Sequence, residues 1–168
     1  GLVSILSGWA YTGGPYPLGY HGLGDLFVFL FFGFAAVVGT VYVQALEAPL
    51  VAWYFAVPVG ASCTAIIVVN NLRDRGGDER SGKRTLAVRW GPVWTRRYYL
   101  GLLLVATFAG PLFALLGQGG WGLWAPVLLL PFAWRLARAL HTAEGKALNP
   151  VLAQTAGYHL VLGIVLSL

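Results

Sequence analysis

The side chains of this chain that could do chemistry are concentrated in residues 70–85, directly after a long apolar run. Asn71, Asp74 and Asp78 are spaced by three and four residues, so on a helix their oxygen-bearing side chains would share one face over two turns. Mg²⁺ prefers oxygen ligands and usually takes only one or two protein carboxylates, leaving the other positions to water and substrate phosphate. The spacing therefore predicts a magnesium site that a phosphate-bearing substrate completes.

Basic side chains surround these three candidate ligands: Arg73, Arg75, Arg80, Lys83 and Arg84. Arginine can hold phosphate oxygens through paired hydrogen bonds, and lysine acts on them as a point charge. Cation ligands and basic groups in one short segment together favour the binding of a diphosphate.

The same residues also fit a simpler alternative, a solvated loop in which Asp78 pairs with Arg75 and the basic residues serve only to orient the protein in a membrane. Gly76 and Gly77 favour this alternative, because each glycine costs a helix interior about 1 kcal/mol. A helix break at these glycines would separate Asp78 from the other two candidate ligands.

The composition of the chain indicates where this segment lies. Of the 168 residues, 58% are hydrophobic and 10% are charged, whereas a soluble domain carries roughly 25% charged residues. This excludes an ordinary soluble globule, and the single cysteine, Cys63, excludes a disulfide framework within the chain. A bilayer core about 30 Å thick needs about 20 apolar residues in a helix. Five apolar segments are therefore predicted to cross the membrane: 26–46, 49–69, 98–116, 121–140 and 151–168.

Backbone polar groups in hydrocarbon must be satisfied within the segment, so the predicted fold class is an all-α, polytopic transmembrane helix bundle. Pro58, Pro126 and Pro131 lie inside predicted spans, where we expect kinks. Residues 1–11 form about half a span, and the chain contains no methionine. We therefore expect residues 1–168 to be a single integral-membrane domain that begins with a partial helix and is truncated at its N-terminus.

Charge asymmetry predicts how the bundle is oriented. Residues 70–97 carry eight basic and three acidic side chains, residues 135–146 carry three basic and one acidic, and the opposite side holds only Glu47. Because positively charged loops stay in the cytoplasm, the long loop 70–97 is predicted to be cytoplasmic in a multi-pass protein of the cell's inner (plasma) membrane. A basic loop held against a membrane favours lipid phosphates, and not nucleic acid, as its partner.

Two polar motifs of the chain carry a family resemblance. The first comprises Asn70-Asn71-Leu72-Arg73-Asp74, then Asp78, then Gly82-Lys83-Arg84-Thr85-Leu86-Ala87-Val88-Arg89-Trp90-Gly91. It resembles the second aspartate-rich motif of the UbiA-type membrane prenyltransferases, and is most similar to the 1,4-dihydroxy-2-naphthoate polyprenyltransferases of menaquinone biosynthesis. The second motif, residues 11–25, resembles the connection into the fifth helix of those enzymes. The resemblance implies a nine-helix bundle around a central cavity, of which this chain would supply the end of the fourth helix and helices five to nine.

The resemblance also implies roles for individual residues. The residues implied to coordinate Mg²⁺ are Asn71, Asp74 and Asp78. The residues implied to bind the diphosphate of a polyprenyl donor are Lys83, Arg73, Arg84 and Asn70. Tyr11 would stand near the diphosphate or the allylic cation, where it would act in catalysis with Asp74 and Asp78; the alternative role of Tyr11 is an interfacial anchor.

The implied reaction transfers a polyprenyl group from its diphosphate to 1,4-dihydroxy-2-naphthoate. Breaking the allylic C–O bond leaves a diphosphate and an allylic carbocation; the naphthoate ring then attacks the cation and loses its carboxylate as CO₂, which gives demethylmenaquinone. Metal and basic side chains stabilise the developing negative charge. The family also has a first aspartate-rich motif, and the only aspartate of this sequence outside residues 70–97 is Asp25. The chain alone is therefore expected to be inactive.

Two alternative functions stay open on the sequence. One is transfer to another aromatic acceptor within the same superfamily. The other is a non-enzymatic membrane bundle, such as part of a transporter, whose basic loop binds anionic lipid. A transporter would carry polar groups or broken helices near the bilayer midplane, whereas here the acidic residues gather at one face, which favours the enzyme. His21, His141 and His159 lack the spacing of metal ligands, and His159 is predicted to be structural.

Overall fold

The long apolar runs form helices, because backbone polar groups in hydrocarbon must be hydrogen-bonded within their own segment. The structure, a computed structural model, describes residue 5, residues 18–117 and residues 120–167. After a 3-10 turn (Leu18–His21), the helices are α1 (Gly24–Ala45), α2 (Leu50–Arg80), α3 (Leu86–Leu115), α4 (Trp121–Thr142, of which Trp121–Leu129 is a 3-10 helix) and α5 (Leu148–Leu166). No strand is found in the described part of the chain, and the all-α prediction is confirmed.

Four of these helices, α1 to α4, are long and apolar enough to cross a membrane. The fifth, α5, covers most of the segment predicted at 151–168. The chain is therefore a multi-pass membrane protein whose surroundings include a lipid bilayer. The half-span predicted at residues 1–11 lies, apart from residue 5, outside the described residues.

The largest departure from the sequence prediction is the end of α2. We predicted a loop from residue 70 to residue 97, but α2 continues to Arg80 and α3 begins at Leu86, so only residues 81–85 between them are non-helical. The prediction was wrong because polar residues outside an apolar run are compatible with either a loop or a helix. Asn71 and Leu72 are still buried there, and this burial offsets the roughly 2 kcal/mol that two glycines cost a helix.

Prolines do not mark all the irregular positions. Pro58 lies inside α2, Pro126 lies in the 3-10 part of α4, and Pro131 occupies the first turn of the α-helical part of α4, where proline is tolerated. The backbone of α3 instead departs from helical geometry at Gly91, which has a φ of 72° and a ψ of 175°. Gly91 is the residue before Pro92. This left-handed φ is accessible to glycine at little cost.

The main core lies between α2, α3, α4 and α5, where α2 contributes mainly small side chains such as Ala61 and Ala65. Small residues let membrane helices approach closely. Two buried tyrosines add hydrogen bonds between α3 and α5: Tyr99 Oη lies 2.7 Å from Thr155 Oγ1, and Tyr158 Oη lies 2.8 Å from Thr107 Oγ1. These bonds fix α5 against α3 inside the bundle.

Helix α1 packs on α2 through glycines. A Cβ added at Gly33 would lie 2.7 Å from the carbonyl oxygen of Ala56, and one added at Gly60 would lie 2.9 Å from that of Phe29. The part of α1 at this crossing, Phe29–Ala35, is a π-helix. The close approach holds the beginning of α1 beside the polar end of α2, where the predicted site residues lie.

Candidate functional site

One continuous helix carries the predicted cation ligands. Asn71, Asp74 and Asp78 all lie in the last three turns of α2, which runs through Gly76 and Gly77. The shared face that the spacing gives on a helix is therefore present, although the sequence predicted a loop here, and the helix break considered at the two glycines does not occur. The spacing of three and four residues places them on one side of the helix.

Asn71 is held by a residue that we did not predict to belong to the site. Its Nδ2 donates to Oδ1 of Asp25, at the beginning of α1, over 3.3 Å. Both residues are buried, with 5% of Asn71 and 3% of Asp25 exposed. The two partners are 46 residues apart, and the sequence offers only the isolation of Asp25 as a signal for their meeting.

Asp74 is paired with its neighbour Arg73. The guanidinium donates to both carboxylate oxygens, from Nε to Oδ1 over 2.8 Å and from Nη2 to Oδ2 over 2.7 Å. Nη2 also donates to Asn70 Oδ1 over 2.8 Å, and Nη1 donates to Asn149 Oδ1 of α5 over 3.1 Å. Arg73 thus joins the end of α2 to the beginning of α5 while it neutralises Asp74.

Asp78 and Lys83 form an ion pair across the end of α2, with Lys83 Nζ 3.4 Å from Asp78 Oδ1. The backbone N–H of Lys83 also donates to the Asp78 carbonyl over 2.8 Å. The pairing of Asp78 with Arg75, which we considered as an alternative, is not what the structure has. Oδ2 of Asp78 is buried and has no hydrogen-bond partner among the residues that the structure describes.

An unpaired buried carboxylate oxygen is costly, and such an oxygen is what a hard cation coordinates. Asp78 therefore fits a cation ligand. Within residues 18–117 and 120–167, however, no three His, Cys, Asp or Glu side chains gather into one group. The three candidate ligands instead face three different partners: Asp25, Arg73 and Lys83.

The turn after α2 is bonded to the segment before α1. The N–H of Arg84 donates to the carbonyl of Tyr20 over 2.7 Å, and Arg89 donates from Nη2 to the carbonyl of His21 over 2.9 Å and from Nε to that of Arg84 over 3.1 Å. At Gly22, with φ 77°, an added Cβ would lie 2.8 Å from the Arg84 carbonyl oxygen. The two polar motifs of the sequence thus meet, and Arg89, which we had assigned no role, links them.

The remaining predicted residues differ in their surroundings. The Arg84 side chain is exposed, and no partner for its guanidinium occurs among the described residues. Tyr11 lies outside the described residues. His159 accepts or donates a hydrogen bond at Nδ1 with Ser62 Oγ over 2.8 Å, in keeping with its predicted structural role.

An apolar groove of about 620 Å³ adjoins this polar end. Its walls come from α1, α2 and α5, and most of its lining is aliphatic or aromatic: Val28, Phe32, Cys63, Ile66, Ile67, Leu152, Ala153 and Ala156. The polar lining residues are Asn70 and Asn149, the same two side chains that accept hydrogen bonds from Arg73. An apolar groove and a charged cluster therefore share one rim.

Comparison with known proteins gives a consistent result. The chain is 43% identical over 156 residues to the 1,4-dihydroxy-2-naphthoate octaprenyltransferase of Mycobacterium tuberculosis, which covers 92% of this chain and 52% of that protein. It is 38% identical over 175 residues to the enzyme of that name from Escherichia coli, in an alignment that covers 99% of this chain and 56% of that protein. It is 32% identical over 160 residues to human UbiA prenyltransferase domain-containing protein 1, in an alignment that covers 95% of this chain and 46% of the human protein.

The chain thus spans about half the length of the curated relatives it matches. Residues 1–154 match the sequence profile of the UbiA prenyltransferase family, whose members are generally metal-dependent. The match includes both polar motifs and four of the five helices in full. The chain belongs to the UbiA prenyltransferase family.

Proposed function

We propose that the protein to which this chain belongs transfers a polyprenyl group from an allylic diphosphate to 1,4-dihydroxy-2-naphthoate, with loss of CO₂, and so makes demethylmenaquinone. The observation that carries the proposal is the shared rim of a charged cluster and an apolar groove, because an isoprenoid diphosphate has a charged head and an apolar tail. The names of the bacterial relatives support the choice of the naphthoate acceptor.

In this proposal Asn71, Asp74 and Asp78 hold Mg²⁺, and the unpaired Oδ2 of Asp78 is the observation that supports a cation there. When bound, the metal supplies positive charge to the oxygens of the diphosphate leaving group. Residues 1–168 contain only one of the two aspartate-rich motifs that the family resemblance implies. We therefore propose that these residues fold as a single membrane domain that is inactive by itself.

The basic residues have the diphosphate as their ligand. Arg73 would exchange its bonds to Asp74 for bonds to phosphate oxygens, while Lys83, Arg84 and Asn70 complete the contacts to the head group. As the allylic C–O bond breaks, its electron pair passes to the diphosphate, and these preorganised donors stabilise the charge that develops. Tyr11 would face the carbocation that remains on the prenyl chain.

The groove between α1, α2 and α5 would receive the prenyl units next to the head group, and the rest of the chain would continue into the bilayer. This arrangement places the polar end of α2 at the membrane surface. The excess of basic residues between 70 and 97 supports a cytoplasmic location for that surface in the plasma membrane.

The test uses the full reading frame that encodes this chain, expressed in membranes. We expect Asp74→Ala and Asp78→Ala each to lower Mg²⁺-dependent prenylation by at least about 100-fold, because each removes a carboxylate that would hold the metal whose positive charge acts on the leaving group. Glu79→Ala is the matched control, since Glu79 is exposed on the same helix; it should keep its activity. Membrane insertion should be intact in all three variants, and unchanged turnover in both aspartate variants would refute the proposal.

A further inference from the structure

The chemistry described above gives no role to Asp25, the buried hydrogen-bond partner of Asn71. Burial of a carboxylate in a membrane protein is expensive and marks a specific role by default. Asp25 lies in the first turn of α1, where the helix N-terminus favours negative charge. The contact of Gly33 and Gly60 already holds α1 and α2 together, so helix packing does not require the pair.

The chemistry of the two side chains fixes how the Asn71 amide is turned. An amide has one oxygen that accepts and one nitrogen that donates, and a hard cation binds only the oxygen. An ionised carboxylate only accepts, so the Asn71 side chain must direct Nδ2 towards Asp25. Its Oδ1 then points away from Asp25, and it makes no hydrogen bond with any residue that the structure describes.

We propose that Asp25 is a positioning residue that holds the Asn71 amide with its oxygen directed to the bound cation. The inference rests on the proposed function, in which Asn71 is a cation ligand. Residues that orient metal ligands through hydrogen bonds typically contribute 10-fold to 100-fold to metal affinity. Asp25 would therefore act on the metal through Asn71 without touching substrate.

The experiment measures Mn²⁺ binding by the loss of the free-ion electron paramagnetic resonance signal. The protein is the product of the full reading frame, purified in detergent, and no pyrophosphate is added because pyrophosphate would itself bind Mn²⁺ and remove the free-ion signal. In Asp25→Asn the partner side chain can donate as well as accept, so the Asn71 amide is no longer forced into one orientation. We expect the Kd for Mn²⁺ to rise 10-fold to 100-fold. Glu79→Gln removes the same charge from an exposed site on α2 and should leave the Kd unchanged.

A reciprocal exchange separates positioning from folding. In the double variant Asp25→Asn with Asn71→Asp, the new amide can donate to the new carboxylate, whose second oxygen is free for the metal. We expect this variant to recover most of the lost affinity. A normal Kd in Asp25→Asn, or a lowered melting temperature without metal together with an unchanged Kd, would overturn the inference.

The proposed function has its own readout in the same assay. If Asp74→Ala and Asp78→Ala abolish Mn²⁺ binding while Asp25→Asn binds normally, only the role of Asp25 is wrong. If Asp74→Ala and Asp78→Ala also bind Mn²⁺ normally, the proposed cation site itself is wrong, and the inference fails with it.

Discussion

Helix α2 has two halves that satisfy their polar groups in different ways. In the membrane half, Ser62 and Thr64 donate to carbonyls of the same helix, at Pro58 and Gly60, and the one described side-chain bond to another helix joins Ser62 Oγ to His159 Nδ1 of α5. In the polar half, besides bonds within the helix, the side chains bond to three other elements: α1 through Asp25, α5 through Asn149 and the following turn through Lys83. The membrane half of α2 mainly packs against other helices, whereas the polar half contacts polar side chains from distant parts of the chain.

The two halves differ in whether they contain a buried polar atom that has no partner and therefore lowers stability. Among the described residues, no buried side-chain nitrogen or oxygen of the membrane half lacks a hydrogen-bond partner, whereas Asp78 Oδ2 in the polar half has none. A binding site must keep such groups available for its ligand at a cost to stability. Variants of the polar half of α2, and of the helices that pack around its membrane half, test this division.

The largest effect is expected from Asp78→Asn, which keeps the shape of the side chain and removes its charge. Prenylation by the full-length protein should fall by at least about 100-fold. The free energy of unfolding should stay within about 1 kcal/mol of the unchanged protein, because the loss of the ion pair with Lys83 is offset by the removal of charge from a buried oxygen that has no partner among the described residues. Activity assays and thermal unfolding in detergent would measure the two effects, and a parallel loss of stability would contradict the division.

An intermediate effect is expected from Gly33→Ala on α1, which packs against the membrane half of α2. The new Cβ would meet the Ala56 carbonyl at 2.7 Å, so α1 and α2 must separate. Overpacking of this kind costs about 1–3 kcal/mol. Gly39→Ala is the matched control on the same helix, since nothing lies within 4 Å of its added Cβ. Equal melting temperatures for the two variants would show that the helix crossing is not tight.

The smallest effect is expected from Tyr158→Phe. Thr107 loses one partner but still donates to the carbonyl of Leu103 over 2.8 Å, so no buried donor is left unpaired. The cost should be about 1 kcal/mol, the usual net value of one hydrogen bond. Thr107→Val should cost more, because it leaves the Tyr158 hydroxyl without its partner. Thermal unfolding measures both, while Mn²⁺ affinity should not change in either variant.

The sequence predicts the helices better than their ends. Apolar runs long enough to cross a bilayer identify α1 to α4, because the membrane leaves few alternatives to a helix. The end of α2 is missed because, outside the membrane, polar residues with two glycines are equally compatible with a loop. The break at Gly91 is missed for a related reason: a left-handed glycine has no signal beyond the proline that follows it.

The site is predictable only where it is local. Asn71, Asp74 and Asp78 lie on one helix, so their spacing reveals their common face. Asp25 and Asn149 come to the site through the packing of α1 and α5, which spacing along the chain does not encode. Arg73 is adjacent to Asp74 in the sequence, but adjacency does not predict that its guanidinium donates to both carboxylate oxygens of Asp74.

The bonds between the turn after α2 and the segment before α1 have a consequence for protein engineering. Main-chain atoms of Tyr20 and His21 meet Arg84 and Arg89, and the space beside Gly22 is filled by a carbonyl group. A chimera that took α1 from a homologue would have to take residues 81–89 from the same parent. The two segments form one exchangeable module, although the whole of α1 and α2 lies between them in the sequence.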